Sequence, residues 1–437
     1  MRKGRSLFVF LVAAGIQLVI GWIYGLGTGL KLCLAIGGCL ALRRIRFYIH
    51  REREFEQEYE QVVTYLEQLL CSYRRLGHTG RAMEDCSSLF EPGSRMGGAI
   101  QRARHVFMTG EGVEDGAILE AAFSEIEKEY DSRRMKIIHT FLCNGDRTGS
   151  DSRESLDILL EDLEFWKNRT SVYEKRKKFI KTECAVAAGL AAVLCYVSRL
   201  LTPEELGLRI SDNPIYQIST MIVLLSLWWL IVLIYRKLSV KWLDGGGNRG
   251  EEDARLEKLY QTLEKDPAVV SGLSIHVAKR VLGRYVRQEF PYWLMIVTLY
   301  LQTESGYQAL KKSMAQTGGM IFRREIQVLT EKIYDSPRDL QPYLEFFGKL
   351  ELPEVQTGMK ILYSVSTNGY EDSRRQLDFL VAQNNRLMDR SEVFVQNNKM
   401  AGMGLLKQLP MVLSSIKLLL DLIHLLTMTM GRFQNLY

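Results

Sequence analysis

Five blocks of apolar residues decide what this chain can fold into. Residues 6–22, 30–42, 185–201, 218–235 and 403–428 are almost free of charge. A bilayer core of ~30 Å needs about 20 helical residues to cross it. These blocks therefore predict about five transmembrane helices. The block 30–42 is the shortest, and it spans only if Lys31 snorkels to the outer interface. Whole-chain averages conceal the pattern, because 47% apolar and 25% charged residues describe an ordinary soluble protein.

Flanking charge sets the topology, since positive residues stay on the cytoplasmic side. Arg2, Lys3 and Arg5 precede the first block, and Arg43, Arg44, Arg46, Arg51 and Arg53 follow the second. That reads as a hairpin going out and returning, with Lys31 a lone charge at its turn. The rival is a cleaved signal peptide ending near GLGTG (25–29), but no exported domain follows it. Lys175, Arg176, Lys177, Lys178 and Lys181 precede the third block, and Arg236, Lys237 and Lys241 follow the fourth. The link between them, TPEELGLRISDNP, is net acidic, so a second hairpin is expected. Lys399 and Lys407 mark the inner end of the last block. The N-terminus is expected inside and the C-terminus outside. The expected organisation is a membrane hairpin (1–45), a first cytoplasmic helical domain (46–182), a central hairpin (183–236), a second cytoplasmic domain with its linker (237–400), and a final span with a short outer tail (401–437). The basic run 175–181 is expected to face anionic lipid headgroups rather than nucleic acid.

The two cytoplasmic segments repeat one another. DSRESLDIL (151–159) returns as DSRRQLDFL (372–380), and MKIIHTFLCNG (135–145) returns as MKILYSVSTNG (359–369). The offset is 224 before the Asn-Gly and 221 after it, and the match runs on through Arg169 with Arg390, Val172 with Val393 and Lys178 with Lys399. Each copy then enters an apolar block. Asn144-Gly145 and Asn368-Gly369 are expected to stop a helix, because both residue types tolerate a left-handed backbone. Asp151 or Ser152, and Asp372 or Ser373, are expected to cap the next helix. Arg153 with Asp157, and Arg374 with Asp378, stand four apart and can meet on one helix face, worth roughly 0.3–0.5 kcal/mol if exposed. A cap and a core stripe account for these letters; a pair of equivalent docking surfaces is the functional alternative.

Motifs for chemistry are scarce. The seven cysteines hold no CxxC, the six histidines are scattered, and no GxxxxGK[ST] occurs. GGGNRG (245–250) reads as a flexible linker. No enzyme activity, metal or cofactor is expected.

Taken together, the chain resembles the F-domain family of type II secretion and type IV pilus platform proteins, and within it the tight-adherence (Flp-type) pilus assembly members. The resemblance rests on two tandem helical domains, each followed by a span. It also rests on a long helix, a Gly turn and an Ala-containing helix in each copy (Gly80, Ala82, Met83; Gly306, Ala309, Leu310). It implies an all-α polytopic protein of the bacterial cytoplasmic membrane with two F-type bundles and no catalysis of its own. It further implies a cytoplasmic secretion ATPase, pilin or pseudopilin subunits, and homo-oligomers or hetero-oligomers with a related platform protein. Tight-adherence members usually carry one F domain, whereas this chain carries two. A transporter, or a scaffold of another pathway including a sporulation-linked relative, is the alternative. Lys417, Asp421 and His424 lie deep in the last block, where ionisable residues are expensive. Lys417 and Asp421 either face an oligomer axis, holding a pilin helix or another subunit, or neutralise each other near an interface or inside the bundle.

Overall fold

The structure, a computed structural model, describes residues 2–110, 118–130, 132–148, 153–200, 210–239, 249–264, 272–301, 304–317, 319–367, 379–388, 390–391, 393, 397 and 400–434. It is all-helical, with no strand among the described residues. The helices are α1 (Arg2–Ile23), α2 (Thr28–Leu76), α3 (Thr79–Ser87), α4 (Arg95–Thr109), α5 (Ile118–Glu129), α6 (Arg133–Thr148), α7 (Arg153–Leu200), α8 (Pro214–Leu238), α9 (Arg249–Glu264), α10 (Gly272–Leu301), α11 (Gly306–Gln316), α12 (Met320–Asp335), α13 (Gln341–Glu345), α14 (Pro353–Thr367) and α15 (Met403–Gln434). They form two compact units. One holds residues 1–56, 170–241 and 397–437, and the other holds 57–169 and 242–396.

The first unit gathers the apolar helices. Three stretches are long and apolar enough to cross a membrane: Ser155–Val197 in α7, Pro214–Leu238 and Met403–Gly431. The run on α1 is shorter, Phe10–Ile23. The run on α2 is cut off by Arg43 and Arg44, because α2 continues as one helix into a charged half. Gly25, at φ 67°, turns the chain between α1 and α2. At Gly21 and Gly38 the two helices meet closely: a Cβ there would lie 2.9 Å from Lys31 and from Gln17 respectively. Tyr24, Leu26 and Leu34 then pack with Ala191, Cys195, Val223, Leu224 and Leu227 of α7 and α8.

Equivalent helices of the two repeats lie side by side in this unit. Arg176 donates to the Asn397 side chain at 3.4 Å, Lys407 to Glu183 at 3.2 Å, and Lys417 to the Cys195 carbonyl at 3.5 Å. The separations of these partners are 221, 224 and 222 residues, so Arg176 meets its repeat equivalent and the other two contacts fall within three residues of the 221 offset that holds in this stretch. None of these bonds is strong. Their value is the direction they set: α7 runs parallel to Asn397 and α15 with near-equivalent residues close by. The helices that precede each copy also run parallel. Gly27 N–H donates to Gln217 Oε1 across 190 residues, and Ala41 and Ile45 pack on Val232.

The second unit holds the two helical copies. Matching positions are buried in both: Met135 and Met359, Ile138 and Leu362, Ala82 and Ala309, Met83 and Leu310. Aromatic packing fills the second core, where Trp293 lies on Phe346 with ring centres 4.9 Å apart. α10 serves both cores, since its Met295, Ile296 and Leu299 join the first copy.

One sequence expectation needs correction. Asn144-Gly145 does not stop a helix, because α6 continues to Thr148. Both residues are taken up by packing instead. Asn144 donates to Tyr300 Oη at 3.0 Å, and a Cβ on Gly145 would lie 2.7 Å from Tyr73 Oη. Asp157 pairs with Arg74 of α2 at 2.9 Å. Asp151, Ser152, Asn368, Gly369, Asp372, Ser373, Arg374 and Asp378 lie outside the described residues.

Gly145→Ala is expected to destabilise the fold by about 1–3 kcal/mol through overpacking. Adding Tyr73→Phe, which removes the oxygen in the way, is expected to restore most of it. A thermal-unfolding double-mutant cycle on the full chain measures the coupling, and strict additivity would refute the close approach.

Candidate functional site

Three polar constellations stand out from the helical background. The first lies on α15, whose spacing places Ser414, Lys417 and Asp421 on one helix face. That face is turned inward, with the three residues 0%, 1% and 3% exposed. Lys417 Nζ is bonded to the Asp421 carboxylate, reaches the Cys195 carbonyl of α7, and sits 4.4 Å over the Tyr216 ring of α8. The pair therefore faces the interior of its own bundle rather than an outer axis. An ion of either sign is far costlier against lipid than against a counter-charge and a ring face. His424 follows one turn later, and its Nε2 is buried without a hydrogen-bond partner. At the matching place in the first repeat stands Tyr196, edge-on to Tyr24 at 5.8 Å. One copy thus has two tyrosines where the other has a tyrosine and a lysine.

The second constellation joins α2 to α7. Lys177 is 1% exposed and bonded to Glu52 and to Glu174 at 2.5 Å, with Glu56 at 3.7 Å. Lys181 binds Glu52 at 2.5 Å and lies 5.0 Å over the Tyr235 ring. Burial works to raise the Glu52 carboxyl, but hydrogen bonds from Lys177 and Lys181 overcome it and hold it below the usual carboxylate range. Three carboxylates converge closely enough to surround a cation, and the cation between them is the Lys177 ammonium. Lys177 and Lys181 are thus turned away from the lipid face expected for them. Lys175, Arg176 and Lys178 remain exposed. A signal for this was present in the sequence: two acids four apart, Glu52 and Glu56, and two lysines four apart, Lys177 and Lys181.

The third lies in the repeat unit. A cavity of about 300 Å³ opens between α6 and α10, lined among others by Ile137, Thr140, Trp293 and Ile296. Arg133 and Glu289 close one side as an ion pair at 2.6 Å. On another side Glu127 binds His139 Nδ1 at 2.8 Å, while Tyr65 Oη meets Nε2 at 3.1 Å. Phe123 stacks on the imidazole at 4.0 Å. Burial pushes the His139 pKa below its ordinary 6.5, and Glu127 offsets only part of that.

No family model, curated protein or solved structure matches this chain.

Two outcomes are expected. Lys417→Met alone strands a buried carboxylate and should destabilise the chain by about 3–5 kcal/mol, while Lys417→Met with Asp421→Leu should recover most of that. Thermal unfolding in detergent measures both, and an undamaged single variant would refute the buried pair. For His139 the folded pKa is depressed, so the unfolded chain binds the extra proton. Its contribution is complete above pH 6.5 and is lost as pH falls below that value, with a slope of up to about 1.4 kcal/mol per pH unit. Hydrogen exchange across residues 118–148 should quicken on acidification in the natural chain and less so in His139→Gln.

Proposed function

We propose that this chain is a non-enzymatic membrane platform for assembling a type IV, Flp-like pilus or a type II secretion pseudopilus. In this reading its five apolar segments cross a bacterial cytoplasmic membrane, N-terminus inside and C-terminus outside. The two helical copies then meet a cytoplasmic secretion ATPase, and the membrane helices pass its motion to pilin or pseudopilin subunits. One observation carries most of the support: equivalent helices of the two repeats run parallel, within three residues of the register of the duplication. A platform that must engage a symmetric motor and a helical fibre benefits from two like halves held in fixed register. The duplicated helical bundles and the apolar helices of the first unit accord with this.

Chemical cross-linking in native membranes, followed by affinity purification and mass spectrometry, tests the proposal. Recovery of a secretion-type ATPase and small pilin-like proteins is the expected result. Recovery of self-cross-links alone, from cells actively assembling such a fibre, would overturn it and favour a transporter or a scaffold of another pathway.

A further inference from the structure

Cations of the first unit differ in how they are held. Lys177, Lys181, Lys407 and Lys417 are each held by a carboxylate. Arg43, Arg44 and Arg51 of α2 are exposed, and none has a carboxylate partner among the described residues. The nearest acid on that face, Glu54, is engaged by His50 at 3.2 Å.

These arginines continue a particular helix face. Leu32, Ile36 and Leu40 are 58%, 61% and 53% exposed and stand four apart, a stripe that meets acyl chains if α2 lies in a bilayer. The same face proceeds to Arg43 and Arg44, then to Phe47, 57% exposed, then to Arg51. The guanidinium groups thus emerge between apolar residues on either side along one face.

Length sharpens the argument. The apolar run 30–42 covers roughly 20 Å at ~1.5 Å per residue, against a hydrocarbon core of ~30 Å. Arg43 and Arg44 are therefore drawn to the phosphate level or just beneath it. Charge at that depth demands a counter-ion, and no carboxylate among the described residues supplies one. Arginine suits phosphate, because its planar fork donates two parallel hydrogen bonds.

We infer that α2 carries a seat for an anionic phospholipid, with Arg43, Arg44 and Arg51 on the headgroup phosphate and Leu40 and Phe47 against its apolar part. The inference rests on the membrane placement proposed above. The occupant is a lipid rather than free phosphate because the arginines and the acyl-facing stripe form one uninterrupted surface.

The full chain in nanodiscs of phosphatidylcholine, with and without phosphatidylglycerol, provides the test, read by native mass spectrometry and by thermal midpoint. The natural chain should retain phosphatidylglycerol and unfold at a higher midpoint with it. Inorganic phosphate added to phosphatidylcholine discs should change neither. Arg43→Gln with Arg44→Gln should lose retention roughly tenfold, about the worth of one good charge-assisted contact. Arg43→Lys with Arg44→Lys, which preserves the charge needed for insertion, should lose several-fold, and Lys258→Gln with Lys360→Gln, exposed residues of the second unit, should lose little. Wild-type retention in both arginine variants would overturn the inference, as would an equal effect of free phosphate. Release of the natural chain from membranes by alkaline carbonate would instead defeat the membrane placement itself.

Discussion

The parallel run of α7 beside Asn397 and α15, with α15 packed on α8, is the constraint on which the apolar-helix unit depends. It brings together residues that stand 221 to 224 positions apart, so each contact is between near-equivalents of the duplicated sequence. Once these two helices are in register, α2 and α8 fall beside each other in the same sense, at a separation of 190. The individual bonds are long and weak. What fixes the arrangement is the recurrence of nearly the same spacing in all three.

Charge is managed in the same spirit. Where a lysine is buried, an acid meets it: Asp421 for Lys417, Glu52 and Glu174 for Lys177. Separately neither charge would be tolerated at such depth, and together they favour one helix register over its neighbours. The Glu52 carboxyl stays ionised for this reason, despite the burial that opposes it.

The apolar blocks and the duplication were legible in the sequence, because hydropathy and repeated letters are properties of the chain alone. The helical class followed from them. The burial of Lys177 was not legible from the basic run around it, since a run of like charges looks the same whether one member turns inward or not. It became visible only through Glu52, more than a hundred residues earlier on another helix. Asn144-Gly145 misled for a related reason. Its local preference for ending a helix was overridden by tertiary contacts, with Tyr73 against the glycine and Tyr300 bonded to the asparagine. The contacts of Lys417 with Tyr216 and Cys195 were not legible from its spacing, because both partners stand on other helices some two hundred residues earlier.

The pairing of Tyr196 and Lys417 at matching places has an evolutionary side. In a true homodimer every substitution arrives twice. A lysine introduced at this position would enter both helices at once and place two like charges near the shared axis. Joining the halves in one polypeptide removes that penalty. Each half can then mutate without its twin, and a polar residue that a homodimer would reject can be admitted on one side while tyrosine is retained on the other.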